Sequence, residues 1–261
     1  MFDFHIHSKL SYDASSEPMD IVHMAEKTGL KEICFTDHVD DDPRGIVTDW
    51  RYTAQEHRAV YKDVRSDRVK VHFGIELGML SDNRATFETY LAQREYDFVI
   101  GSIHYSDNLD VYLAPYWEGK TVFEAERKYL EDTLCCVKVH DDFDVLGHLT
   151  YLSKARAHPT HRLIPLEQHW DLVEEILKTL VAKGKGMEIN TSGVDRCGDF
   201  LPGEEYLRLF QSLGGEIVTV GSDAHTVDRV GQYADRACAL LKDIFGYVCT
   251  FEHRKPIFHK L

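Results

Sequence analysis

Phe2-Asp3-Phe4-His5-Ile6-His7, with Asp13 a few residues on, is the stretch from which the remaining sequence becomes readable. Side chains alternate across a strand, so the pattern predicts Phe2, Phe4 and Ile6 on one face and Asp3, His5 and His7 on the other. Two histidines at i and i+2 lie side by side near one end of such a strand, where their neutral ring nitrogens suit a single cation. A lone His-x-His pair also fits two exposed strand histidines, so the weight falls on what recurs downstream.

What recurs is a short apolar strand ending in a metal-type ligand. Glu32 to Thr36 runs into Asp37-His38, Val69 to Leu77 carries Glu76, Asp97 to Ile103 stops at His104, and Phe143 to Gly147 stops at His148. Gly186 to Thr191 carries Asn190, and Glu216 to Gly221 runs into Asp223 and His225. Helical segments lie between. Ser16-Glu17-Pro18 opens one that Gly29 closes. Leu166, Trp170, Val173, Leu177, Leu180 and Val181 recur at steps of three and four. Further helices are expected near Thr53 to Ser66, Asn83 to Arg94, Thr121 to His140, Glu204 to Leu213 and Val230 to Phe245, with a short extended tail through Phe251 to Phe258.

Seven strands alternating with helices predict parallel βαβ units and an α/β fold, a TIM-like barrel in a single domain over residues 1–261. In a parallel barrel the carboxyl ends of all strands converge on one rim, so ligands far apart in sequence reach one pocket. The chain has 15 histidines, and His23, His57, His72, His140, His169, His253 and His259 fall on helices, connections or the tail as bystanders. Chance does not readily place a ligand after six of seven strands, and a multinuclear metal site is the expectation.

Composition narrows the partners. At 43 % hydrophobic residues the chain can bury a large core, and its net charge is −14 with no basic run longer than pairs such as Arg254-Lys255. A nucleic-acid binder needs a basic stripe to displace counterions, so that partner is not expected. No apolar run approaches the roughly 20 residues of a membrane span. The start shows no signal-peptide pattern, so a cytoplasmic protein without membrane contact is expected. Six cysteines without C-x-x-C spacing read as reduced thiols. Tyr105 to Lys120, rich in Tyr, Asp and Gly, reads as a cover for an active site, and its aromatic content suits a lid or a subunit contact equally.

His5-x-His7 with Asp13, Thr36-Asp37-His38, Gly74-Ile75-Glu76, Gly101-Ser102-Ile103-His104, Gly147-His148 and Gly221-Ser222-Asp223-Ala224-His225 together resemble the PHP (polymerase and histidinol phosphatase) superfamily. Phe35 to His38, Gly147-His148-Leu149, Glu188 to Gly193 and Phe251 to Pro256 look like its monofunctional histidinol-phosphate phosphatases. The similarity spans about residues 2 to 256. It implies a distorted (β/α)7 barrel with three divalent ions of zinc, iron or manganese. By motif, His5, His7, Glu76 and Asp223 would hold the first ion, Glu76 would bridge to a second completed by His104 and His148, and Asp13, His38 and His225 would hold the third.

The resemblance also implies chemistry. Three divalent ions against three carboxylates leave a positive surplus that a phosphate monoester dianion and one hydroxide match. The expected reaction is in-line attack by a metal-bridging hydroxide on a small phosphate ester, most simply L-histidinol phosphate, with no covalent phosphoenzyme. Glu76, Asp223 and His225 are the expected catalytic residues, with Asp223 or a neighbouring His carrying the proton to the leaving alkoxide. Lys154, Arg156, Asn190 and Arg196 are the expected substrate and phosphate contacts, although Asp195 stands where the family tends to carry a basic residue. Asp40, Asp41, Asp42 and Glu118 are candidate partners for a substrate ammonium. The rivals are a phosphatase for nucleotide or sugar phosphates, a nuclease, and a non-catalytic metal-holding domain.

Overall fold

The computed structural model describes residues 1–45 and 51–261; the stretch Val39 to Trp50, acidic and holding Pro43 and Gly45, reads from its sequence as a loop, and its end, residues 46–50, lies outside the described residues. Seven parallel strands follow one another in chain order around a sheet: β1 Phe2–Ile6, β2 Glu32–Phe35, β3 Lys70–Gly78, β4 Phe98–Ser102, β5 Val145–Leu146, β6 Gly186–Asn190 and β7 Val218–Gly221. Beyond the strand ends the seam between β7 and β1 is drawn together by Asp223 N donating to His5 O at 2.8 Å and His7 N donating to Ala224 O at 2.9 Å. The sheet is thus a nearly closed barrel.

One main helix follows each strand: α1 Pro18–Thr28, α2 Ala54–Tyr61, α3 Arg84–Leu91, α4 Val122–Val139, α5 Trp170–Ala182, α6 Glu204–Ser212 and α7 Ala234–Ile244. Their ends have local causes. Gly29 closes α1 in the left-handed region at φ 75°, and Thr53/Glu56 and Thr121/Glu124 form capping boxes that open α2 and α4. α7 begins later than the expected Val230 because Gly231 and Tyr233 hold φ of 70° and 60°, which no helix can continue through. Helices outside and side chains inside bury both faces of the sheet, so every residue of β4, β6 and β7 is buried. Among the described residues no helix is long and apolar enough to cross a membrane.

Two expectations need correction. Strict alternation in β1 fails because its register on β2 shifts between Asp3 and Ile6. Phe2 and Phe4 therefore join the main core, while Ile6 joins a second cluster with Ile21, Val22 and Ala25 of α1. The extended tail is an antiparallel hairpin, β8 Tyr247–Glu252 with β9 Lys255–Lys260. It packs on the amino ends of the barrel strands, with ring centroids 4.8 Å apart for Phe251 and Phe98 and 4.5 Å apart for His259 and Phe2. Each aromatic buried there contributes about 2 kcal/mol, so the hairpin closes the end opposite the rim where the ligands collect. That rim is partly covered by a small hairpin, Tyr105–Ser106 with Leu109–Asp110, and a helical turn, Ala114–Trp117.

Candidate metal centre

Glu76, wholly buried near the end of β3, is the hub of the rim. Its Oε2 lies 2.8 Å from His38 Nδ1, 3.2 Å from His5 Nε2 and 3.5 Å from His7 Nε2. Its Oε1 lies 2.8 Å from His148 Nε2 and 3.3 Å from His104 Nε2. Beside it, Asp223 Oδ1 is 3.2 Å from His7 Nε2 and 3.7 Å from His5 Nε2. On the outer side Asp13 Oδ2 sits 3.2 Å from His225 Nε2 and 3.6 Å from His38 Nε2. Five imidazoles around one carboxylate is an arrangement that hydrogen bonding alone does not satisfy.

The backs of the rings explain their aim. His5 Nδ1 lies 2.6 Å from Glu188 Oε1, His104 Nδ1 lies 2.9 Å from Asp40 Oδ1, and His7 Nδ1 lies 3.0 Å from Ser11 Oγ, whose own proton goes to Asp37 Oδ1 at 3.0 Å. An acceptor behind Nδ1 keeps the ring proton there and leaves the Nε2 lone pair facing the centre, the usual way a protein presents a neutral imidazole to a metal. Glycine makes room for these braces. A Cβ on Gly221 would overlap the Glu188 carboxylate and His5, and one on Gly78 would overlap Asp40.

The donors fit divalent cations. His5 Nε2, His7 Nε2, His38 Nδ1 and Glu76 Oε2 are buried without a hydrogen-bond partner. Each such atom costs about 1–3 kcal/mol unless something satisfies it. Sets of three donors, each spanning no more than 4.8 Å, recur through the cluster: His5/His7/Asp223, His5/Glu76/His148, His7/His38/His225 and His38/Asp40/His104. Burial alone would raise the Glu76 carboxyl, but His5, His38 and His104 outweigh it and hold it well below the ordinary range. Burial likewise opposes the Asp223 charge, and Lys154 and His5 overcome it. Burial and the neighbouring His38 and His225 rings keep His7 unprotonated. Burial opposes charge on His5, His38 and His104 too, but the surrounding carboxylates outweigh it and raise these three rings above the ordinary imidazole range, so a divalent cation bound here would displace protons from them.

The sequence profile of the PHP domain matches residues 3–192. The chain belongs to the PHP domain family. Among its PHP relatives are the histidinol-phosphatase of Lactococcus lactis, 30 % identical over 97 % of this chain and 95 % of that protein, and the probable histidinol-phosphatase of Thermotoga maritima, 29 % identical over the whole of both. The crystal structure of histidinol phosphate phosphatase from Lactococcus lactis, complexed with zinc, L-histidinol and phosphate, superposes with a TM-score of 0.83 at 27 % identity, covering 98 % of each chain.

Within this PHP barrel the nine residues expected as ligands, His5, His7, Asp13, His38, Glu76, His104, His148, Asp223 and His225, meet at one rim. They adjoin a cleft of about 910 Å³ lined by Tyr12, Tyr112, Tyr151, Lys154, Arg196 and Arg229, among others. Lys154 Nζ lies 2.5 Å from Asp223 Oδ2 and 2.8 Å from Ser192 Oγ, while Arg196 Nη1 reaches Tyr112 Oη at 2.8 Å. Two expected contacts lie elsewhere. Arg156 is exposed and does not line the cleft, because the turn Tyr151–Lys154 directs Lys154 inward and carries the chain away. Asn190 is buried beneath it, its Oδ1 accepting from Ser192 and its Nδ2 donating to Glu188 Oε2 at 3.2 Å. Nor do Asp40, Asp41, Asp42 or Glu118 line the cleft. Asp40 is behind His104, Asp41 pairs with Arg51, and Glu118 faces solvent.

Sequence reasoning overlooked the braces Glu188, Asp37, Ser11 and Ser102, whose Oγ donates to Glu76 Oε1 at 2.6 Å. For Glu188 a signal existed, since it stands two residues before Asn190 and shares its strand face. Asp195 forms ion pairs and hydrogen bonds with Arg229 and Tyr233, so a cation still borders that part of the cleft.

Proposed function

We propose that the protein is a metal-dependent phosphatase that hydrolyses L-histidinol phosphate to L-histidinol and inorganic phosphate. The observation that carries this reading is the convergence of six imidazoles and three carboxylates beside a cleft holding Lys154 and Arg196, in a barrel similar over its length to an enzyme solved with zinc, L-histidinol and phosphate. The donor count suits three ions: one at His5, His7, Glu76 and Asp223, one at Glu76, His104 and His148, and one at Asp13, His38 and His225. Imidazole with carboxylate accommodates zinc, iron or manganese. Divalent ions in such a centre supply Lewis acidity toward a phosphoryl group and lower the pKa of water.

The chain's own residues do the rest. Phosphoryl transfer spreads charge over the equatorial oxygens, so Lys154 and Arg196 are placed to neutralise it without rearranging. Glu76 holds five rings in register and carries the charge that keeps cations in the rim. Asp223 and His225 both line the cleft, and Asp223, held charged beside Lys154, would take up the proton lost by the attacking water and pass it to the leaving alkoxide, with His225 at the adjoining wall. The chain is read as one metallophosphoesterase unit acting on a small ester in the cytoplasm, a reading supported by the −14 charge and by six unpaired cysteines.

Steady-state hydrolysis by protein of known metal content tests the reading. L-Histidinol phosphate is expected to have the highest kcat/KM in a panel with nucleotide and sugar phosphates, and Glu76→Ala is expected to abolish nearly all of it. Equal kcat/KM across the panel would move the assignment to another small ester. Metal-loaded protein inert to every ester would favour a non-catalytic role.

A further inference from the structure

Four carboxylates line the cleft, and three are matched by positive or titratable partners. Asp223 faces Lys154, Asp195 faces Arg229, and Asp13 faces His225 and His38. Asp110 is the exception. It is half-buried, it borders both the cleft and the recess between His38, His104 and His148, and its partner among the described residues is the Tyr112 N–H, at 2.8 Å from Oδ1. Burial raises its carboxyl above the ordinary range, and the charges of His104 and Arg44, which form no ion pair with it among the described residues, offset that only in part.

The cations show the complementary gap. Lys154 and Arg229 are each paired to a carboxylate, whereas Arg196 spends its Nη1 on Tyr112 Oη at 2.8 Å and on the Lys154 carbonyl at 2.7 Å. The cleft therefore presents one unmatched anion at the Tyr112 backbone and one unmatched cation at the Tyr112 hydroxyl. A ligand that fills both must carry a negative group and a positive group.

We propose that Asp110 is a specificity residue that receives the ammonium of a phosphate ester bearing an amine next to the esterified carbon. This rests on the phosphatase reading for the phosphate end of the ligand, and L-histidinol phosphate is one member of the class. The small hairpin pairs Asp110 with Tyr105, the residue after His104, and Asp110 borders the recess of His38, His104 and His148, so the amine is bound close to the phosphoryl site and not at the mouth. A hydrogen bond between charged groups makes a difference of roughly 10- to 100-fold.

The probes are 2-aminoethyl phosphate and ethyl phosphate, which differ in the amine alone. For the metal-loaded wild-type protein, both Kd by calorimetry and kcat/KM are expected to favour the amine-bearing ester by at least about tenfold. In Asp110→Asn, whose side-chain carbonyl can still accept from Tyr112 N, that ratio is expected to fall to near one, mainly through Kd and KM. A ratio unchanged in the variant, or a wild-type ratio already near one, overturns the inference. If L-histidinol phosphate proves not to be the preferred ester while the amine ratio holds and collapses in the variant, the role of Asp110 stands and the histidinol assignment falls. Because Kd is read alongside turnover, a protein that binds without hydrolysing still decides the matter.

Discussion

Glu188 shapes the centre without facing the cleft. One oxygen takes the His5 ring at 2.6 Å, and the other accepts from His148 N at 2.8 Å and Asn190 Nδ2 at 3.2 Å. A glutamine there can accept from either His5 or His148 but must turn its amide donors toward the other. Glu188→Gln is therefore expected to weaken metal affinity by about 10- to 100-fold with the fold intact, read by chelator competition and circular dichroism. Unchanged affinity would mean that His5 is oriented by packing alone. Eight of the nine rim residues were legible because each lies at or just beyond the carboxyl end of a strand, which is what a one-dimensional pattern marks, and Asp13 was legible only through the family motif. Braces such as Glu188 and Asp40 depend on which atom each oxygen meets across the barrel, and a linear pattern does not hold that information. Asp110 was hidden for another reason: Asp107 and Asn108 both take positive φ, 56° and 58°, and that tight reversal returns Asp110 opposite Tyr105.

At the level of elements, helix limits set by local chemistry were readable, as at Gly29 and Thr121, whereas limits set by tertiary geometry were not. The kink in β1 and the closing hairpin β8–β9 both answer to packing partners distant in sequence. The same holds for the anchorage of the loop that delivers Lys154. Glu126, buried on α4, lies 3.0 Å from His169 Nε2 and 4.0 Å from His158 Nε2, which ties that loop and the turn Leu166–His169 to the helix. Burial opposes the Glu126 charge, but the two imidazoles outweigh it and hold the carboxyl below its ordinary range. The folded state then gives up this proton more readily than the unfolded chain. The stabilisation is complete above the ordinary glutamate value of about 4.3 and fades as pH falls through and below it. Glu126→Gln is expected to cost about 2 kcal/mol at neutral pH, with the gap to wild type narrowing only as pH falls below about 4 in urea melts. A gap that stays constant with pH would show that shape, not charge, holds the loop.

For the whole molecule, closing the barrel and building the site are one event. The rim gathers donors from β1, from the segments after β1, β2, β4, β5 and β7, and from β3, and the β7–β1 seam is held by backbone hydrogen bonds at His5, His7, Asp223 and Ala224, three of them expected ligands. An ion at this rim therefore cross-links the carboxyl ends of strands that the unfolded chain leaves far apart. A ligand that binds the folded state alone stabilises it by about 4 kcal/mol at a thousandfold excess over Kd. In a chain of this size 1 kcal/mol moves Tm by about 2–4 °C. Removing bound ions with a chelator is expected to lower Tm on the order of 10 °C, and reloading with a divalent cation, tested across zinc, iron and manganese, is expected to restore both Tm and phosphatase activity. If metal loss is verified by elemental analysis and Tm does not move, the carboxylate and serine braces behind the rings suffice to hold the rim. The cations would then serve chemistry alone.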